Sequence, residues 1–165
     1  MRRTTITLLT LLAVASIAVV AVWAQNAHYK KGPSVVDNGL TATATGAISG
    51  LGNGDVIVTL RFPNATGTTT CTNQGGTQAQ GQNPATPASV SGSALITNVK
   101  NGTVSFTVTT AVPSNPSPAA AGCPNDKTWT AAFNDISFGS GTLTIRQDDG
   151  TGNFVTVLTT SVSLP

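Results

Sequence analysis

From Leu40 to the C-terminus, apolar and polar residues alternate with a period of two, the spacing of half-buried β-strands. Ala42, Ala44, Gly46 and Ile48 alternate with Thr41, Thr43, Thr45 and Ser49. Val56, Val58, Leu60 and Phe62 alternate with Asp55, Ile57, Thr59 and Arg61. Val104, Phe106 and Val108 share a face, as do Trp129, Ala131 and Phe133, which places Trp129 with the core positions. Leu143 and Ile145 form another pair, and Phe154, Leu158, Val162 and Leu164 fall on one face of a last strand. The outward positions are rich in β-branched residues, which favours strands over helices. Helical spacing is confined to the N-terminal stretch.

Turn chemistry punctuates these runs. Gly52-Asn53-Gly54-Asp55 separates the first two. Asn101-Gly102 is a strong two-residue hairpin signal between Val90–Val99 and Val104–Thr109, and Asp148 to Asn153 joins the last two strands. The pattern predicts an all-β fold: an immunoglobulin-like antiparallel β-sandwich of seven to nine short strands, with a small barrel as the alternative. Length indicates one domain over residues 40–165, preceded by a polar, exposed arm at 25–39 with at most a short extended piece at Val35-Val36.

Two segments read as long loops instead. Gln74–Ser89 and Ala111–Gly122 are uncharged and rich in Pro, Gly, Gln and Ala. Each adjoins a cysteine, Cys71 before the first and Cys123 after the second. Two cysteines in an exported chain point to one disulfide that pins the two loops at their bases. A free thiol pair or a metal site is the alternative, although a metal site needs further ligands.

Export is expected from the N-terminus. Arg2-Arg3, the apolar run Ile6–Val22 and the small-residue site Val22-Trp23-Ala24 make a signal peptide over residues 1–24, cut before Gln25. An uncleaved membrane anchor is the rival reading. Once cleaved, the chain would have no stable membrane insertion.

The remaining 141 residues carry 24 Thr, six Asp, no Glu and one His. Six Lys and Arg balance the six Asp, with no basic cluster of the kind that neutralises nucleic-acid phosphates. Proton-transfer and nucleophilic chemistry need groups this chain scarcely has. A Ser-His-Asp set would depend on His28, in the arm. A carboxylate pair would have to come from Asp55, Asp126, Asp148 or Asp149, all in turns, where Asp serves local hydrogen bonding. No catalytic residue, cofactor or metal ligand is therefore expected. The Asp148–Asn153 loop lacks the spacing of a calcium loop. Asn64-Ala65-Thr66 and Asn101-Gly102-Thr103 match the glycosylation sequon, as chance in a Thr-rich chain allows. A Lys–Asn isopeptide crosslink from Lys100 or Lys127 lacks the Glu that often catalyses it. If the two long loops form a binding surface, its candidate ligand contacts are Trp129, Asn83 and Asn125.

Leu51–Asp135 resembles a group of short secreted proteins of environmental and soil bacteria for which no activity is established. The shared elements are Gly52-Asn53-Gly54, Cys71-Thr72-Asn73-Gln74-Gly75-Gly76, Gly81-Gln82-Asn83-Pro84, Lys100-Asn101-Gly102, Cys123-Pro124-Asn125 and Trp129-Thr130-Ala131. The resemblance implies export, a disulfide and a sandwich, and brings no catalytic residues.

The leading expectation is a non-enzymatic extracellular structural protein at the cell surface. Balanced charge does little to keep copies apart. An envelope layer or fibre would form by self-association, with Val35–Ile48 adding a strand to a neighbour. The alternative is a secreted module that binds a glycan or a protein through loops 74–89 and 111–122.

Overall fold

The computed structural model describes residues 26–84, 87, 89–125 and 127–164. The expected signal segment 1–24 and Asp126 lie outside the described residues. Among the described residues, ten strands form three antiparallel sheets. The strands are β1 (His28–Asp37), β2 (Ala42–Ser49), β3 (Gly54–Phe62), β4 (Thr66–Asn73), β5 (Gln78–Gln80), β6 (Val90–Val99), β7 (Val104–Thr109), β8 (Trp129–Ser137), β9 (Ser140–Asp148) and β10 (Phe154–Ser163). One turn of helix, α1 (Pro118–Ala121), lies between β7 and β8.

The sheet orders are β1-β2-β7 and β10-β9-β3-β6, with a third sheet β5-β4-β8. The first two follow the immunoglobulin-like arrangement. β1, β2 and β7 take the places of strands A, B and E, and β10, β9, β3 and β6 those of G, F, C and C′. The third sheet is an addition. It is built from the connection between β3 and β6 (residues 63–89) and from the one between β7 and β9 (residues 110–139).

The core lies between the two principal sheets. Ala42, Ala44 and Ile48 of β2 and Phe106 and Val108 of β7 meet Val56, Val58, Leu60 and Phe62 of β3. Leu143 and Ile145 of β9 complete that layer, and Phe62 packs on Phe138 with ring centroids 5.0 Å apart. Fully burying one such side chain contributes about 1.5–3 kcal/mol. The third sheet joins the same core through Phe133 and Ile136. Hydroxyls occupy the opposite strand positions and pair across the ladders: Thr43 Oγ1 lies 2.9 Å from Thr109 Oγ1, and Thr59 Oγ1 2.9 Å from Ser93 Oγ.

Several sequence expectations need correction. The segment expected as an exposed arm is β1, hydrogen-bonded to β2 from His28↔Ser49 to Asp37↔Ala42, although most of its side chains are exposed. Asn101 and Gly102 do have the positive φ values (62° and 63°) of a type I′ turn. The strands they join are not hairpin partners, because β6 and β7 belong to opposite sheets. Phe154 does not share a face with Leu158. A register shift between Thr156 and Leu158 sets Phe154 opposite Asp148, while Leu158 faces the buried Ile145. Strand β4 falls in a stretch with no apolar alternation. The expected loop 74–89 contains β5, and 111–122 contains α1.

Candidate functional site

The distinctive part of this sandwich is the added sheet, and the disulfide holds it. Cys71, buried on β4, is bonded to Cys123, with an S–S distance of 2.03 Å and Cα atoms 5.7 Å apart. Cys123 follows α1, whose N-terminus is capped by Ser117 Oγ accepting from Ala120 N at 3.2 Å. The helix ends at Gly122 in the left-handed conformation, φ 68°. The bond joins the two connections that build the sheet.

Neighbouring segments tie down the rest. Asn115 Oδ1 accepts from Phe133 N at 3.1 Å on the outer edge of β8. Asn83 N donates to Ala121 O at 3.2 Å, and Gly81 N to Thr69 O at 2.9 Å. Gly81 is required by close approach: a Cβ there would overlap Thr69 Oγ1 and lie 2.9 Å from Ala121 O. Thr69 is 2% exposed and its hydroxyl has no hydrogen-bond partner among the described residues.

Alternation sorts the side chains of this sheet. Cys71, Thr69 and Gly67 point inward with Ala131, Phe133 and Ile136. Thr70 and Thr72 point outward, opposite Gln80 and Gln78 on one side and Ala132 and Thr130 on the other. On this outer face Thr68, Thr70, Gln78, Ala79, Gln80 and Asn134 line a shallow groove of about 410 Å³. Asn134 Nδ2 donates to Thr70 Oγ1 at 2.8 Å. Thr68 and Gln80 also border a second hollow of about 230 Å³, completed by Thr69 and Gly81–Pro84. The lining is all hydroxyl, amide and small apolar groups, with no charged side chain. Such groups donate and accept hydrogen bonds to neutral partners and supply no general acid or base.

The candidate ligand contacts separate in space. Asn83 is exposed and lines the smaller hollow. Asn125 is a turn residue whose Oδ1 accepts from Lys127 N at 3.0 Å and whose carbonyl accepts from Trp129 N at 3.2 Å. Trp129 is half-buried and paired with Asn73, on the Cys71 face of the sheet and not on the groove face. Sequence reasoning reached Gln78 and Gln80 only as members of loop 74–89, and missed Thr68, Thr70 and Asn134. The available signal was the Thr68-x-Thr70-x-Thr72 alternation.

The titratable groups are dispersed. His28 lies exposed on β1, its Nδ1 bonded to Asn26 O at 2.8 Å. Asp148 Oδ1 accepts from Gly150 N (2.9 Å) and Gly152 N (3.0 Å). Asp149 Oδ1 accepts from Thr151 Oγ1 (2.6 Å) and Thr151 N (2.8 Å), so both carboxylates serve the hairpin turn between β9 and β10. The Thr151 hydroxyl, then its amide, holds the Asp149 carboxyl below the usual carboxylate range. Among the described residues no three His, Cys, Asp or Glu gather into a group that would hold a metal ion. No helix among the described residues is long and apolar enough to cross a membrane.

No protein-family model, curated protein or solved structure matches this chain.

Proposed function

We propose that this chain is an exported, non-enzymatic recognition module that binds a neutral, hydroxyl-rich ligand of the glycan class on the outer face of β5-β4-β8. One observation carries the reading: two connections of the sandwich, bonded together through Cys71–Cys123, converge to form an uncharged groove of threonine hydroxyls and amides. Thr68, Thr70, Gln78 and Gln80 come from the first connection and Asn134 from the second. Amides and hydroxyls fix the orientation of a neutral ligand, and a disulfide-held sheet lowers the ordering cost of binding it.

Binding of the oxidised protein to an array of neutral polysaccharides tests this. Gln80→Ala with Asn134→Ala should abolish binding without lowering the melting temperature. Trp129→Ala should leave binding in place, because that ring is on the other face. Binding unchanged in the double variant, or lost only in Trp129→Ala, would sink the groove assignment.

Self-assembly into an envelope layer or fibre remains a second reading, supported by the balanced charge of residues 25–165. Its expected route, addition of residues 35–48 to a neighbour, is costly here. β2 lies between β1 and β7, so residues 42–48 could join a neighbour only if both of its ladders broke.

A further inference from the structure

We propose that two copies of this chain associate edge to edge through β10, in antiparallel two-fold pairing that joins their β10-β9-β3-β6 sheets into one. The inference rests on how differently the sheet edges are protected. An edge strand exposes unpaired N–H and C=O groups, and native chains blunt such edges with charge, proline, irregularity or cover. β1 carries Lys30, Lys31, Pro33 and Asp37 and has two register shifts against β2. The outer edge of β6 is bridged where Ala111 N donates to Ser91 O at 2.9 Å, and that of β8 where Phe133 N donates to Asn115 Oδ1. Two further edges are short: β5 is three residues and β7 six. β10 is ten residues, Phe-Val-Thr-Val-Leu-Thr-Thr-Ser-Val-Ser, with no charge, proline or glycine. It ends the sheet, and among the described residues no backbone group of another element pairs with its outer side. β1 comes near it where Tyr29 faces Thr160.

The irregularity of β10 is confined to the register shift between Thr156 and Leu158, which leaves Leu158–Ser163 in unbroken register with β9. Val157 and Leu158 pack on the core yet stay partly exposed, so a neighbouring strand would complete their burial. A second copy of β10 fits this edge by composition. Apolar and hydroxyl residues meet their own kind, and no like charges oppose. Facing residues in a β-pair share a face, so the two-fold axis must pass through a residue: Thr160, which pairs Thr159 with Ser161 of the second copy, or Ser161 itself.

The first register sets the exposed side chains of residues 159 and 161 directly opposite one another; the second sets 161 opposite itself with 159 on the diagonal, and the closeness of these side chains in both gives the test. By sedimentation velocity, the oxidised full chain should show a concentration-dependent dimer. Thr159→Lys with Ser161→Lys places like charges face to face and should weaken dimerisation about tenfold or more. Mixing it with Thr159→Glu, Ser161→Glu should restore a dimer containing one of each, which a misfolded variant would not do. A strictly monomeric parent protein, a dimer indifferent to the lysine pair, or failure of the charge-reversed mixture to pair would each overturn the proposal. Glycan binding at the groove is read separately and is unaffected by these changes.

Discussion

Cys71 sits in mid-strand on β4 and Cys123 follows the left-handed end of α1; their bond closes 52 residues and fastens one insertion of the sandwich to the other. By the chain-entropy model a loop of that length corresponds to about 4 kcal/mol. Cys71→Ala with Cys123→Ala should therefore lower Tm by about 10 °C or more in a calorimetric scan. Hydrogen exchange should speed up first in β4, β5 and β8, while β2, β3 and β9 keep their protection, because the principal core is built without the bond. Equal loss of protection in both regions would refute the division between sandwich and added sheet.

The sandwich was legible where one face is buried and the other wet. Val56, Val58, Leu60 and Phe62 announce β3, and all four are buried in the core. β1 was hidden because Lys30-Lys31-Gly32-Pro33 carries the signals of a solvated loop. In the fold those same residues protect an edge strand. The face of Phe154 was misjudged because a bulge between Thr156 and Leu158 leaves no mark in alternation.

The candidate site was legible only in its fastening. Cysteine count and the expectation of export suffice to predict the Cys71–Cys123 bond, and the loops beside it do converge. The groove itself is made of Thr, Gln and Asn, which in sequence look like any polar loop. That Asn134 meets Thr70 depends on β8 pairing with β4 across 64 residues, a long-range register that no local pattern encodes. Trp129, the one aromatic among the expected ligand contacts, alternates onto the other face.

Gly81 and Thr69 make a second prediction. Gly81→Ala should cost about 1–3 kcal/mol in denaturant unfolding, because its methyl group would overlap Thr69 Oγ1 and press on Ala121 O. Adding Thr69→Ala removes the first of these clashes, so the double variant should be less destabilised than the sum of the two single ones. Strict additivity would show that the contact is relieved by backbone movement instead.

Tyr29 makes a third. Its hydroxyl is buried and, although turned toward Thr160, does not reach hydrogen-bond geometry with it. Burial pushes the phenol above its ordinary pKa. The folded state thus prefers the neutral phenol. The associated stability is fully present below the ordinary value of about 10 and is lost as pH rises toward the folded value. Tyr29→Phe should leave stability at neutral pH unchanged or raise it by about 1 kcal/mol, and should flatten the alkaline end of the profile. This is the chain's one tyrosine, so tyrosinate absorbance reports on it alone. A marked loss of stability at neutral pH in Tyr29→Phe would mean that the hydroxyl has a partner.

Acid should act at the β9–β10 turn. The Asp149 carboxylate accepts from the Thr151 hydroxyl, the Thr151 amide and, at 3.3 Å, the Asn153 amide, all of which favour its charged form. Its folded pKa is lowered, so its contribution is present above the unfolded value of about 3.9 and lost as pH falls through the folded one. The turn is exposed, so the global effect is small, and the measurement belongs at the site. A carboxyl-carbon NMR titration should place Asp149 below the ordinary carboxylate range. Thr151→Ala should move it part of the way back, because the largest cause is removed while both amides remain. Amide exchange at Thr151 and Asn153 should rise over the same acid range and lose that pH dependence in Asp149→Asn. An Asp149 that titrates at the ordinary value in both proteins would show that these bonds do not persist in solution.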